Sequence, residues 1–162
     1  LKISKKALNF ALMNGRAIAS ISAVALADSA INEAIQYAKT RDQFGKKIWQ
    51  YQLIQKLIAD ATVSINAANQ LCLKAFMEKK SESIQASQQC THAKLFASRL
   101  SQEVTASALQ VMGGNGMSAE FNLERYFREA VAFKFIEGSN EILTQLAARD
   151  ALIGVPTLFR SD

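Results

Sequence analysis

The sequence predicts an all-α fold: an up-and-down four-helix bundle of long antiparallel helices with a short C-terminal helix added. Three observations predict it. Apolar residues recur at three- and four-residue steps over long runs of roughly 28 to 36 residues, beyond the usual globular helix. The 162 residues contain one proline and seven glycines, too few breaks for many short strands. Short links between the runs force neighbouring helices to lie antiparallel. Hydrophobic residues make up 49% of the chain, enough for one domain with a core and too many for disorder.

The first helix is expected from about Lys5 to Thr40, with Phe10, Ala17, Ile18, Ile21, Val24, Ala25, Ile31, Ala34, Ile35 and Ala38 on its apolar face. Many of these are alanines, which permit close approach of a second helix. A loop follows, Thr40 to Ile48, containing Gly45. The second helix spans about Tyr51 to Lys80, with Ile54, Leu57, Ile58, Ala61, Ile65, Ala68, Leu71, Ala75 and Phe76 facing inward. Ser81-Glu82-Ser83 breaks it and offers a cap for the third helix, Ile84 to Met112. That helix places Phe96, Ala97, Leu100, Val104, Ala108, Val111 and Met112 on one face. A short fourth helix opens with Asn122 as N-cap. A fifth runs from about Asn140 to Leu152, with Ser139 as N-cap candidate, and Gly154 and Pro156 close it. Residues 1–154 read as one domain and 155–162 as a frayed tail.

Composition narrows the function classes. The net charge of +5, from 19 basic and 14 acidic residues, suits an anionic partner such as a phosphate-rich cofactor. The basic residues are scattered, and no helix carries a basic stripe with interleaved aromatics, which speaks against nucleic acid. Cys72 and Cys90 lack metal-ligand spacing and read as reduced thiols of a cytosolic protein. His92 stands alone and reads as a surface or packed residue. The longest apolar run, Ala17 to Ala27, includes Ser20 and Ser22 and ends at Asp28, too short to span a bilayer. No signal peptide is visible at Leu1 to Lys6, so a cytoplasmic location is expected, or the mitochondrial matrix in a eukaryote. A chain that opens on leucine reads as a piece of a longer protein.

Four stretches carry candidate chemistry. In Phe135-Ile136-Glu137-Gly138-Ser139-Asn140-Glu141-Ile142 a carboxylate precedes a glycine at a helix start, where amides point outward. Glu137 is then either a base projecting into a cleft or an acid placed near a helix dipole. In Asn14-Gly15-Arg16, Arg16 is followed by eleven uncharged residues; it reads equally as a solvent-facing arginine or as a cation guiding an anionic or carbonyl-bearing ligand. Arg41-Asp42-Gln43-Phe44-Gly45 joins a planar guanidinium suited to pyrophosphate with a phenylalanine that either stacks on a purine or tucks into the core. Gln110-Val111-Met112-Gly113-Gly114-Asn115-Gly116 holds more glycine than a helix C-cap needs, which fits close approach of a ligand or a flexible turn.

In this order and spacing the four stretches resemble the C-terminal helical domain of the acyl-CoA dehydrogenases, from about Ala7 to Gly154. Glu124 to Ala130 resembles the family's segment before the active-site turn. The resemblance implies an FAD enzyme that desaturates an acyl thioester between its α and β carbons. It implies Glu137 as the base for the α proton and flavin N5 as hydride acceptor. The Glu137 N–H and a flavin ribityl hydroxyl would then stabilise the developing enolate. It places Met13, Asn14, Gly15, Arg16 and Gly138 against acyl-CoA, although members often carry an acidic or amide residue where this chain has Met13. It places Arg41, Gln43 and Phe44 on the FAD of a neighbouring subunit, with Tyr51 and Gln52 as a further flavin-contacting pair. Gln110, Gly113 and Gly114 would pack on the adenosine, and Ser139 and Glu141 would bind FAD within the same subunit. It further implies a homo-oligomer, a dimer or a tetramer built as a dimer of dimers, and an electron-transfer flavoprotein or other acceptor as partner. The family's N-terminal helical domain and middle β-domain are absent from these 162 residues, so the fragment alone is expected to be inactive. The competing classes are a non-catalytic helical oligomerisation module, an acyl-CoA oxidase, and a relative acting on carrier-protein-bound acyl groups.

Overall fold

A computed structural model describes residues 4–81 and 83–153. Five helices follow one another: α1 (Lys5–Thr40), α2 (Gln52–Glu78), α3 (Ile84–Met112), α4 (Leu123–Ala132) and α5 (Asn140–Ile153). The first three are long and antiparallel in sequence. α3 lies at the centre and touches α1, α2, α4 and α5, so the two short helices take the fourth side of the bundle. The helix stop at Gly154 and Pro156 and the tail 155–162 lie outside the described residues.

Small residues set the spacing of this bundle. Ala17, Ala27, Ala30, Ala34 and Ala38 of α1 are fully buried, as are Ala68 and Ala75 of α2 and Ala86, Ala93, Ala97 and Ala108 of α3. Helix axes approach more closely where contact side chains are short. Ile31, Ile65, Leu100 and Val104 fill the space between. Cys72 and Cys90 are buried free thiols, and Cys90 Sγ donates to the Ala75 carbonyl at 3.6 Å. By length and composition α1 is apolar enough to cross a membrane, a property the uninterrupted run from Ala17 to Ala27 does not reveal. Here it packs against α2 and α3.

α1 is capped by Ser4, whose hydroxyl accepts the Ala7 N–H at 3.2 Å. Ser83 caps α3 in the expected way, accepting the Ala86 N–H at 3.1 Å. Asn122 holds the expected N-cap position of α4, and its carbonyl accepts the Tyr126 N–H at 2.9 Å. It is helical itself (φ −84°, ψ −9°) and makes no side-chain cap bond. Its backbone N–H instead donates to the Glu33 carboxylate on α1 at 3.0 Å, tying the start of α4 to the bundle.

Several expected inward residues face out: Phe10, Ile18 and Ala25 of α1, Phe76 of α2 and Phe96 of α3. The cause is geometric. A face around 100° wide is all a helix buries against its neighbours, and α1 is apolar nearly all round. α2 is shorter than expected, because Tyr51 is extended (φ −89°, ψ 132°) and follows a 3-10 turn at Ile48–Gln50; a second such turn, Lys79–Ser81, ends it. The link after α1 is a small hairpin, β1 (Asp42–Gln43) paired antiparallel with β2 (Lys46–Lys47). Phe44 (φ 53°) and Gly45 (φ 83°) form its two-residue turn, the left-handed pair that matches strand twist.

The alanine seam makes a direct expectation. Ala30→Leu, at a fully buried position of α1, should lower stability by about 1–3 kcal/mol through overpacking. Ala25→Leu on the exposed side should change it by less than about 0.5 kcal/mol. Urea unfolding midpoints of the two variants check this; equal values would show that the seam is loose.

Candidate active site

The turn between α4 and α5 has a constrained backbone. Glu137 has φ 55° and Gly138 φ 98°, two consecutive left-handed residues. For glutamate that conformation costs about 1–2 kcal/mol, so neighbouring groups must impose it. Two buried cations bond the carbonyls of this turn. Arg16 of α1, 3% exposed, donates from Nε to the Glu137 carbonyl at 3.2 Å and from Nη1 to Thr91 Oγ1 at 3.2 Å. Lys94 of α3, 1% exposed, donates from Nζ to the Gly138 carbonyl at 2.7 Å and to Asn140 Oδ1 at 3.0 Å, with the Lys134 carbonyl at 3.5 Å. Ser98 also donates to Asn140 Oδ1, at 2.9 Å.

In a trans peptide the N–H points opposite to the C=O. With the Glu137 and Gly138 carbonyls drawn toward Arg16 and Lys94, the N–H groups of Gly138 and Ser139 turn away from them. Among the described residues no acceptor takes the N–H of Glu137, Gly138 or Ser139. The turn therefore offers a run of free donors beside a carboxylate. Ser139 then caps α5: its carbonyl accepts the Leu143 N–H at 3.0 Å and its hydroxyl lies 3.5 Å from the Ile142 nitrogen.

The Glu137 side chain lies across α1 at Gly15. A Cβ placed on Gly15 would overlap the carboxyl carbon and both oxygens of Glu137. This is the physical use of a glycine in the middle of a helix, where it otherwise costs roughly 1 kcal/mol relative to alanine. The structure thus brings together Gly15, Arg16, Glu137 and Gly138. Met13 is 4% exposed and packed into the core, and Asn14 spends its side-chain amide on the Phe10 carbonyl at 2.9 Å. Of the two readings of Arg16, the solvent-facing one is excluded by its burial.

The cations are electrostatically costly. Burial lowers the pKa of Arg16 from the ordinary arginine value, with Cys90 and Glu137 opposing. Burial, helped by Arg16, pushes Lys94 down to about 8, while Glu141 and Glu137 raise it. A lysine whose folded pKa lies below its unfolded one binds its proton less firmly when folded. Its linkage term therefore gains stability as pH rises from about 8 toward the unfolded lysine value, and below that window the charge is a net cost. Glu141 is shifted down by its own backbone N–H and the Ser139 hydroxyl. Asn140 Nδ2 is buried without a partner among the described residues, because the two donors on Oδ1 fix the amide the other way.

Sequence reasoning missed Lys94, Ser98 and Asn140. A signal existed for Lys94. It interrupts a run of buried positions spaced by three and four, Cys90, Ala93, Ala97, Ser101 and Val104, where a solvated lysine has no place.

The second candidate cluster lies at the far end of the bundle. A groove of about 1010 Å³ is lined by Arg41, Gln43, Phe44, Tyr51, Gln52, Gln110, Gly113 and Gly114 among others. Phe44 is 91% exposed, so it is not tucked into the core. The Tyr51 hydroxyl donates to the Gln43 carbonyl at 2.9 Å and holds the hairpin turn. Gly113 ends α3 with φ 58°, and nothing lies within 4 Å of a Cβ on Gly113 or Gly114, so both backbones face open space. Ser139 and Glu141 belong to the first cluster, not to this groove. From Arg16 to Thr40 is 24 residues of continuous helix, which at 1.5 Å per residue is roughly 36 Å.

Residues 6–152 match the family model described as the acyl-CoA dehydrogenase C-terminal domain. The chain is 35% identical over 143 residues to a probable acyl-CoA dehydrogenase, YngJ, of Bacillus subtilis, covering 88% of this chain and 37% of that protein. It is 35% identical over 130 residues to the caffeyl-CoA reductase-Etf complex subunit CarC of Acetobacterium woodii, covering 79% of this chain and 34% of that protein. Butyryl-CoA dehydrogenase from Megasphaera elsdenii superposes with a TM-score of 0.87 at 32% identity, over 91% of this chain and 38% of that one. The chain thus spans little more than a third of the length of the relatives it matches. With these matches and the all-helical fold, the chain belongs to the acyl-CoA dehydrogenase family, as its C-terminal domain.

Proposed function

We propose that this chain is the helical part of an FAD-dependent acyl-CoA dehydrogenase, with Glu137 as the base. The observation that carries the reading is the seat of the Glu137 carboxylate: a strained, left-handed position, over Gly15, beside free backbone donors. An α C–H next to a thioester is a very weak acid, so removing its proton needs a stabilised enolate oxygen as well as a base. In the proposed pose a Glu137 oxygen takes the α proton while the Glu137 N–H donates to the thioester oxygen. The C–H electron pair becomes the new α,β double bond as hydride leaves the β carbon. Bound flavin supplies the acceptor for that hydride. Arg16 and Gly138 keep base and donor in register.

The far groove fits the dinucleotide end of FAD. Arg41 offers a guanidinium for the pyrophosphate, exposed Phe44 a face for the adenine, and Gly113 and Gly114 uncovered backbone for the adenosine. Roughly 36 Å of α1 lies between the two clusters, which supports giving them to different cofactor molecules. The Arg41 groove accordingly serves the cofactor of a second copy, and the working protein is a homo-oligomer, with a tetramer the leading form. CarC's name places a relative in a complex with an electron-transfer flavoprotein, which supports such a protein as the redox partner here. The same residues serve reduction of an enoyl thioester, since each step is reversible.

Two substitutions in the complete protein test the base. Glu137→Gln should cut turnover of an acyl-CoA by about 10³-fold or more, with FAD and substrate still bound, followed as loss of flavin absorbance on mixing. Unchanged turnover removes Glu137 from the reaction. Gly15→Ala should leave the unfolding midpoint level or slightly raised, since alanine favours the helix by roughly 1 kcal/mol, yet lower turnover about 100-fold by displacing the carboxylate. Wild-type turnover in that variant would show that the seat over α1 is not the working position.

A further inference from the structure

Lys94 has no part in the chemistry described so far, yet it is the largest fully buried side chain among the described residues. Its ammonium sits beneath the active-site turn rather than in the cleft. It reaches three oxygens at once: the Gly138 and Lys134 carbonyls and Asn140 Oδ1. These span the turn from its beginning at the end of α4 to the first residue of α5. Ser98, one turn along α3, reinforces the contact through the same Asn140 oxygen. The Asn140 N–H in turn donates to the Lys134 carbonyl at 2.9 Å, closing a loop around Glu137.

We infer that Lys94 is a positioning residue for the Glu137 base, its buried ammonium clamping the Gly138 carbonyl and the Asn140 side chain so that Glu137 is held left-handed over Gly15. This rests on the reading of Glu137 as the base. Three facts argue for it. A lone buried cation is costly, and its depressed pKa means it does not supply stability at neutral pH. Its partners are backbone and amide oxygens of the turn, not a carboxylate forming an ion pair. The orientation it imposes on Asn140 leaves Nδ2 without a partner, a second cost at the same place. A group buried at such cost, aimed at a turn with two consecutive positive-φ residues, acts through geometry.

The test uses the complete FAD-loaded protein. Lys94→Met should lower kcat about 100-fold with KM changed less than about threefold, since the ammonium faces away from substrate. Lys94→Arg, which keeps a charged donor, should recover part of that loss. The hydrogen-bonded amides of the turn, Ile136 and Asn140, should exchange hydrogen about tenfold faster in Lys94→Met, while the middle of α3 is unchanged. In a Glu137→Gln background, Lys94→Met should have no further effect on turnover, because both changes disable one device. A packing role alone would instead give additive losses and no rescue by arginine. Should Lys94→Met not fold, Asn140→Ala tests the same clamp from α5: about tenfold faster exchange at the bonded amides of positions 136 and 140 and about tenfold lower kcat at constant KM are expected. Wild-type exchange at these amides, in either folded variant, overturns the inference. If Glu137→Gln proves fully active, the base reading falls, while exchange in the Lys94 variants still decides whether the clamp exists.

Discussion

The structure turns on one constraint: two successive carbonyls, of Glu137 and Gly138, are bonded to cations from two different helices. Arg16 comes from α1 and Lys94 from α3, so the shape of the seven-residue turn between α4 and α5 depends on how those helices are set against each other. A glutamate resists positive φ. The turn's own bond from the Asn140 N–H to the Lys134 carbonyl and the two cations from the bundle oppose that resistance together. The turn is best understood as a feature of the α1–α3 interface that happens to be built from residues after α4.

That dependence gives the alanine seam a role beyond packing. Arginine and lysine are long, but each reaches its carbonyl only if the backbones of α1 and α3 sit at one distance and one register. Fully buried alanines along both helices fix the distance, since no side chain is long enough to swing and accommodate a shift. Gly15 carries the same logic to its limit: one further carbon on α1 would occupy the space of the Glu137 carboxyl group. A helix surface that is smooth at one position and cationic at the next is what the strained turn needs below it.

The bundle was legible in the sequence where a single physical signal dominated. α3 begins at Ile84 and ends at Met112 as periodicity and flanking residues indicate, because a serine cap stands at one end and a glycine that adopts positive φ at the other. The four motif stretches were visible too, since each combines a glycine with a charged or amide residue. What escaped was anything that needs two helices to be placed first. Arg16 reads the same in a sequence whether it faces water or the core. Lys94 was passed over because a lysine on a helix is usually solvated, although its position in a buried stripe was a signal against that. Asn122 holds the cap position its composition indicates, yet its N–H is drawn to Glu33, a partner 89 residues away. Ile18 and Ala25 are apolar but exposed, because periodicity marks which residues are apolar and not how many neighbours a helix has.

Positive φ in a residue other than glycine occurs at two places among the described residues, Phe44 and Glu137, and each lies in one of the two candidate clusters. The strain has a different origin in each. Phe44 is forced by its two-residue hairpin, which turns an aromatic ring out into solvent at the rim of the groove. Glu137 is forced by tertiary contacts, which turn a carboxylate inward across α1. A hairpin can hold its shape with local hydrogen bonds, so the outward cluster needs little from the bundle. The inward cluster needs all of it. Small changes in helix packing should thus be felt first at the Glu137 turn and last at the Phe44 turn. In the proposed reading, the base is thereby tied to the packing of α1 against α3, while Phe44 at the groove rim is held by its own hairpin.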